Sequence, residues 1–306
     1  MNVVRLKDKL GVRSMASAEC ILTDTVGKLV GKEGEGFYIM TDMINLSRLY
    51  NSIAATSFMR RALIESYQFL SFRISFGKNA LNHALIRKKL EEIGSMYVAN
   101  FYMTFKAVKL LDKADNGDRK SAEILRLLTP MLKKCTAEKG VYVIRESMEL
   151  MGGMGYIEDG VLPKLMRDSM VLPIWEGAGN IMLLDMLRAS VKSKGFQFLC
   201  DEIKSIFERE KQATPLLKTV KELEKMLLKA FEMKDKETLE LTAKFVFEEL
   251  TSLYQIAILL EYKDAESEKW INSAVSFLLE NQENKSFKMP KTLDKAAIKD
   301  LLAWDF

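Results

Sequence analysis

The chain has 306 residues, 48% of them hydrophobic, with 46 Lys+Arg against 42 Asp+Glu; this can bury one large core or two moderate ones and excludes a disordered chain. Its single histidine, His83, argues against any mechanism needing two and against Ser-His-Asp hydrolysis, leaving a carboxylate, a cofactor, or no chemistry at all. No uncharged apolar run reaches the roughly 18 residues of a membrane span, and residues 1–11 alternate charges with apolar side chains instead of forming a signal-peptide core, so a soluble, cytoplasmic protein is expected.

The first 30 residues contain short segments, Ala18 to Thr23 and Lys28 to Gly31, that are bounded by Gly or polar residues and predict strands. They are too few for a sheet with its own core, so another element or another chain must cover them. From Gly36 the pattern turns helical, with expected helices over 37–75, 80–115, 119–151 and 179–193 separated by Gly, Asn-Gly or Pro. In the second, Leu90, Ile93, Tyr97, Phe101, Phe105 and Val108 recur at spacings of three and four and predict one core-facing stripe. Helices with single stripes pack as a bundle. The Gly-rich stretch from Gly152 to Gly179 is too long for a bundle turn, and loops of that kind carry function.

Beyond Lys194 a second helical region is expected, with Thr214 as N-cap and Pro215 at the first helical position of a helix through Leu223 and Phe231. Asn281 to Pro290 reads as a polar loop before a last short helix ending at Trp304. Cys20, Cys135 and Cys200 form no paired spacing, which suggests neither a disulfide framework nor a zinc site; all three are expected in the core. Residues 191–306 carry 19 Lys+Arg against 21 Asp+Glu, leaving 27 against 21 for residues 1–190, an asymmetry too mild to imply nucleic acid. A lysine series at 285, 288, 291, 295 and 299 is the one local basic patch that stands out.

Three linked segments carry the chemistry: Glu149 to Tyr156 (ELMGGMGY), Leu165 to Asp168 (LMRD), and Pro173 to Asn180 (PIWEGAGN). In order and spacing they resemble the C-terminal domain of the acyl-CoA dehydrogenases, which carries a Gly-Gly-x-Gly-Tyr turn, an Arg-Asp pair and an aromatic-Glu-Gly motif. Gly31 to Phe37 is similar to that family's link from β-domain to bundle, and Arg73 to Gly77 (RISFG) is similar to its flavin motif. The resemblance covers residues 5–190. It is closest to the adaptive-response, AidB-like branch, with its Trp-Glu-Gly-x-Gly-Asn form, the run Arg126 to Pro130, Arg60-Arg61 and a helical extension.

The resemblance implies that Glu176 is the base that removes a thioester α-proton, a weak acid that needs a positioned carboxylate and donors on its carbonyl. Trp175, Gly177 and Arg48 then border the substrate, acyl-CoA. Arg73 binds the pyrophosphate of FAD across a dimer interface, since a guanidinium offers two parallel donors to phosphate. Ser75, Phe76, Gly152, Gly153, Ala178 and Asn180 fall at cofactor-facing positions. A glutamate at helix starts is also favoured by the macrodipole alone, and a lone Gly-Gly turn is more often loop geometry. Serine at position 47 cannot act as the alternative base that some relatives place there. Glu149 stands where many dehydrogenases have a flavin-contacting glutamine, and Ala178 replaces a Thr or Ser.

The expectation is therefore a mainly α protein: residues 1–33 as a short N-terminal β remnant of the middle domain, 34–193 as the dehydrogenase four-helix bundle, and 194–306 as a helical C-terminal extension. The family's N-terminal helical domain and most of its β-domain are expected from a separately encoded chain, with FAD bound weakly or not at all without them. A homo-oligomer and, as electron acceptor, an electron-transfer flavoprotein go with this reading. The alternative is a non-enzymatic helical oligomerisation or DNA-associated protein.

Overall fold

The computed structural model describes residues 1–233 and 235–283. Two strands, β1 (Asn2–Leu6) and β2 (Ala18–Ile21), pair antiparallel with Asn2 opposite Ile21 and Leu6 opposite Ala18. The expected strand at Lys28 to Gly31 does not form; Gly31 sits at φ 76°, a left-handed turn that ends strand geometry. Its place is taken by β1, in the stretch where charged and apolar residues alternate. The ribbon is exposed on both faces and is tied down beyond its tip. Gly11 packs so tightly on α4 (Val161–Ser169) that a Cβ there would lie 2.3 Å from the Arg167 carbonyl oxygen. The Val12 amide donates to Asp168 Oδ1 at 2.6 Å.

The bundle consists of α1 (Gly36–Phe72), α2 (Ala84–Asp115), α3 (Arg119–Leu150) and α5 (Gly179–Lys192), close to the expected limits. α1 stops three residues early because Arg73 turns extended and the chain enters a hairpin, β3 (Ile74–Ser75) with β4 (Lys78–Asn79). Its two-residue turn, Phe76 and Gly77, has positive φ at both positions (50° and 77°), the backbone that suits a two-residue hairpin. α2 and α3 are joined by Gly117, φ 91°, and by Asp118, whose carboxylate accepts from the Lys120 amide as N-cap. Pro130 lies buried inside α3 without ending it.

The predicted stripe of α2 is only half right. Ile93 is buried, but Phe101 and Phe105 are 37% and 47% exposed, and the inner face is built from Ala99, Asn100, Met103, Thr104 and Ala107. Polar residues take these places because they are satisfied: Thr104 donates to the Asn100 carbonyl and meets Thr56 at 3.1 Å, and Gln255 donates to Asn100 Oδ1. The aromatics are displaced outward.

Residues beyond Lys194 form α6 (Gly195–Arg209), α7 (Leu216–Glu232), α8 (Lys236–Glu261) and α9 (Glu268–Glu283). They share one continuous hydrophobic core with the bundle, which runs from Leu127 and Met131 on α3 through Met186 on α5 to Phe207, Leu253 and Ile271. Thr214 does not cap α7. Its hydroxyl donates backwards to the Phe207 and Glu210 carbonyls, and Pro215 takes the cap position. Asn281 to Glu283 belong to α9, not to a loop; the rest of the expected loop, the helix ending at Trp304 and the lysine series lie outside the described residues. Cys200 is buried and Cys135 partly so, but Cys20 is exposed because it sits on the open ribbon. No described helix is long and apolar enough to cross a membrane.

Candidate active site

Between α4 and α5 the chain makes a tight turn through Trp175, Glu176 and Gly177. Glu176 adopts φ 58°, a left-handed conformation that costs a non-glycine residue about 1–2 kcal/mol. Gly177 follows at φ 103°, a backbone conformation that side chains rarely adopt, so glycine is favoured by the backbone before any substrate is considered; a Cβ there would also press on the flexible Met182 methyl at 2.5 Å. Such strain persists only where neighbours over-determine it. Two cations do so here. Arg48 on α1 donates from Nε to the Glu176 carbonyl at 3.0 Å, and Lys133 on α3 donates from Nζ to the Gly177 carbonyl at 2.6 Å.

Arg48 is itself held. Its Nη1 bonds Asp185 Oδ2 at 2.7 Å and Asn45 Oδ1 at 3.1 Å, while Arg126 reaches Asp185 Oδ1 at 2.6 Å. Burial alone would raise the Asp185 carboxyl, yet the Arg126 and Arg48 guanidinium groups outweigh it and hold it below the usual carboxylate range. Burial, with Arg48 adding like charge, draws the Lys133 ammonium down to about 8. The Glu176 carboxylate is partly buried and makes no side-chain hydrogen bond or salt bridge among the described residues. The Trp175 indole Nε1 beside it is buried without an acceptor. A fixed backbone thus presents an unpaired carboxylate.

The flavin-motif residues lie elsewhere. Arg73, Ser75 and Phe76 stand on the β3–β4 hairpin, at the opposite end of α1 from Arg48; 25 residues of helix place the two ends roughly 37 Å apart at about 1.5 Å per residue. α1 and α3 run in the same direction, with Gly140 packed on Ala55, so Gly152 and Gly153 after α3 come to the Arg73 end as well. Arg73 is exposed and makes no ion pair among the described residues, and Phe76 is 97% exposed. A Cβ at Gly152 or Gly153 would meet nothing within 4 Å, whereas one at Gly155 would lie 2.2 Å from the Met148 carbonyl oxygen. Gly155 is therefore a packing glycine, and the other two leave open space for a ligand. Ala178 and Asn180 sit with Glu176, at the start of α5. The site residues thus form two groups, one at each end of the bundle.

Several residues escaped sequence reasoning. Lys133 and Asp185 are charges inside apolar helix faces, a signal in itself, since such residues are almost never buried unless paired. His83 turns out to brace the hairpin, with Nε2 at 3.1 Å from the Ser75 carbonyl and its ring edge-on to Phe76. The Arg-Asp pair works structurally: Asp168 anchors the N-terminal ribbon and Arg167 pairs with Glu158. A groove of about 1070 Å3, lined by Tyr67, Tyr97, Phe101 and Trp270 among others, lies along α1, α2 and α9 and includes neither Arg48 nor Glu176.

Residues 34–191 match the family model described as the acyl-CoA dehydrogenase C-terminal domain. The chain is 30% identical to acyl-CoA dehydrogenase family member 11 of Caenorhabditis elegans, over 86% of this chain and 45% of that protein. It is 36% identical to AidB of Escherichia coli strain K12, over 65% of this chain and 36% of that protein. The crystal structure of Caenorhabditis elegans ACDH-11 in complex with C11-CoA superposes with a TM-score of 0.86 at 25% identity, covering 99% of this chain and 54% of that one. The chain thus spans about half the length, or less, of these relatives. With the family's domain matched along more than half the chain, and its helical fold reproduced, the chain belongs to the acyl-CoA dehydrogenase family, where it is consistent with the AidB-like branch.

Proposed function

We propose that this chain carries the catalytic base of a flavin-dependent acyl-CoA dehydrogenase, with Glu176 removing the α-proton of an acyl-CoA thioester. The observation that carries the reading is the turn at Glu176: backbone strain held in place by Arg48 and Lys133, with the carboxylate left free. A general base needs that combination of fixed position and unoccupied lone pairs. Trp175 and Gly177 border the acyl group, and Arg48 serves them by holding the turn. ACDH-11, the relative whose structure covers 99% of this chain, was crystallised with an acyl-CoA, which supports the substrate class.

The residues fit FAD at the far end of the bundle: an exposed unpaired guanidinium at Arg73, an exposed hairpin tip at Phe76 and open space over Gly152 and Gly153. When bound, FAD supplies the acceptor for the hydride from the substrate β-carbon. Because Arg73 lies roughly 37 Å along α1 from Arg48, the Arg73 end serves a site completed by another copy of the chain, so function requires self-association. The exposed aromatics of α2 offer apolar surface for it. The other half of the family's length supplies the remaining walls, and an electron-transfer flavoprotein is the acceptor class that fits.

The test is Glu176→Gln in the chain combined with the N-terminal half of a full-length relative. The variant should bind FAD and acyl-CoA as before, while flavin bleaching and α-proton exchange with solvent fall by about 100-fold or more. Bleaching near the wild-type rate would show that Glu176 is not the base.

A further inference from the structure

Lys133 is buried, with 1% of its surface exposed, yet it makes no salt bridge among the described residues. A buried ammonium without a carboxylate partner is costly to desolvate and calls for a reason. Its neighbours give none of the usual ones. Arg48 from α1 faces it with like charge, and Glu176 from the turn and Glu138 from its own helix act only through space. Its one direct bond among the described residues is the short contact from Nζ to the Gly177 carbonyl. Gly177 is the second of two successive positive-φ residues, and the first, Glu176, has its own carbonyl held by Arg48. Two cations from two different helices therefore grip two consecutive carbonyls of the turn, and without Lys133 the Gly177 peptide would have a single-sided hold.

We propose that Lys133 is a positioning residue of the site: from inside α3 it pins the Gly177 carbonyl and so fixes the direction in which Glu176 presents its carboxylate. This rests on the proposed role of Glu176 but is tested separately from it. Lys133 touches no substrate. Its effect is on the reacting step and not on binding, because a carboxylate turned by an ångström loses reach to the α-carbon while the pocket walls stay in place.

Lys133→Met retains length and apolar stem but removes the donor and the charge; Lys133→Arg restores both. Trp175, one residue before Glu176, is the local probe once Trp270→Phe and Trp304→Phe remove the other indoles. In Lys133→Met, acrylamide quenching of Trp175 should rise about threefold as the turn opens locally, with the thermal midpoint little changed. In the chain joined to the N-terminal half of a full-length relative, α-proton exchange should fall about 100-fold with KM for acyl-CoA within about twofold, and Lys133→Arg should recover most of it. Unchanged quenching together with unchanged exchange overturns the proposal. So does a fall in thermal midpoint that tracks the loss of exchange and is not rescued by Arg, since Lys133 is then only a core residue. Should Lys133→Met fail to fold, Lys133→Gln is read by the same criteria. If the wild-type complex exchanges no α-proton, the proposed function fails, and the quenching of Trp175 still decides whether Lys133 holds the turn.

Discussion

Asp185 Oδ2 accepts from Arg48 Nη1 at 2.7 Å while Asp185 Oδ1 accepts from Arg126 Nη2 at 2.6 Å, so one buried carboxylate ties α1 and α3 to α5 just behind the Glu176 turn. Its carboxyl is held below its ordinary value, so it contributes stability above the unfolded value near pH 4 and loses it as pH falls through the lowered folded value. Asp185→Asn should therefore lower the thermal midpoint at pH 7 and flatten the acid limb of a stability-against-pH curve. Removing one partner of a buried pair costs about 3–5 kcal/mol, read by urea unfolding at pH 7. An acid limb as steep as wild type would place the acid sensitivity elsewhere.

The left-handed backbone at Glu176 predicts a trade between stability and activity. Glu176→Gly relieves a strain of about 1–2 kcal/mol against the larger entropy that glycine has in the unfolded chain, so stability should stay level or rise by less than about 1 kcal/mol. Calorimetry of the variant checks this. A marked loss of stability would mean that the carboxylate has a structural partner.

Two glycines of one motif should part company. Gly155→Ala drives a methyl group onto the Met148 carbonyl and should destabilise by about 1–3 kcal/mol, as overpacking does. Gly153→Ala meets nothing and should leave unfolding unchanged, while weakening FAD affinity measured by fluorescence in the chain combined with the N-terminal half of a relative. Equal FAD affinity would remove Gly153 from the cofactor site.

If Arg73 serves another copy, inactive Glu176→Gln and inactive Arg73→Ala chains should complement when mixed and reassociated. A mixed pair holds one intact site, so roughly one site in four recovers under random pairing. Activity no higher than either variant alone would place both residues in one site.

Thiol titration follows from the exposure pattern. Cys20 should react at once, whereas burial pushes the Cys135 thiol up to about 11 and raises Cys200 as well, so these two should wait for unfolding. Three fast thiols in native buffer would contradict the packing of α3 and α6.

The helices of the bundle were legible from residue spacing because local periodicity and Gly or Pro punctuation determine where a helix begins and ends, and the motif around Glu176 marked it as the candidate acid. The inner face of α2 was not, because Asn100 and Thr104 are satisfied by Thr56 and Gln255, partners that spacing along one helix cannot reveal. Nor was the hairpin after α1, since its ladder follows from positive φ at Phe76, which a side chain does not announce. Lys133, Asp185 and His83 act through residues 44, 137 and eight positions away along the chain. The sequence by itself determined the family and the helical class, and singled out Glu176 as the candidate acid. Only the tertiary structure decided how that acid is held, because the holding is done by two cations on separate helices, brought to one turn by the packing of a core that no local pattern encodes.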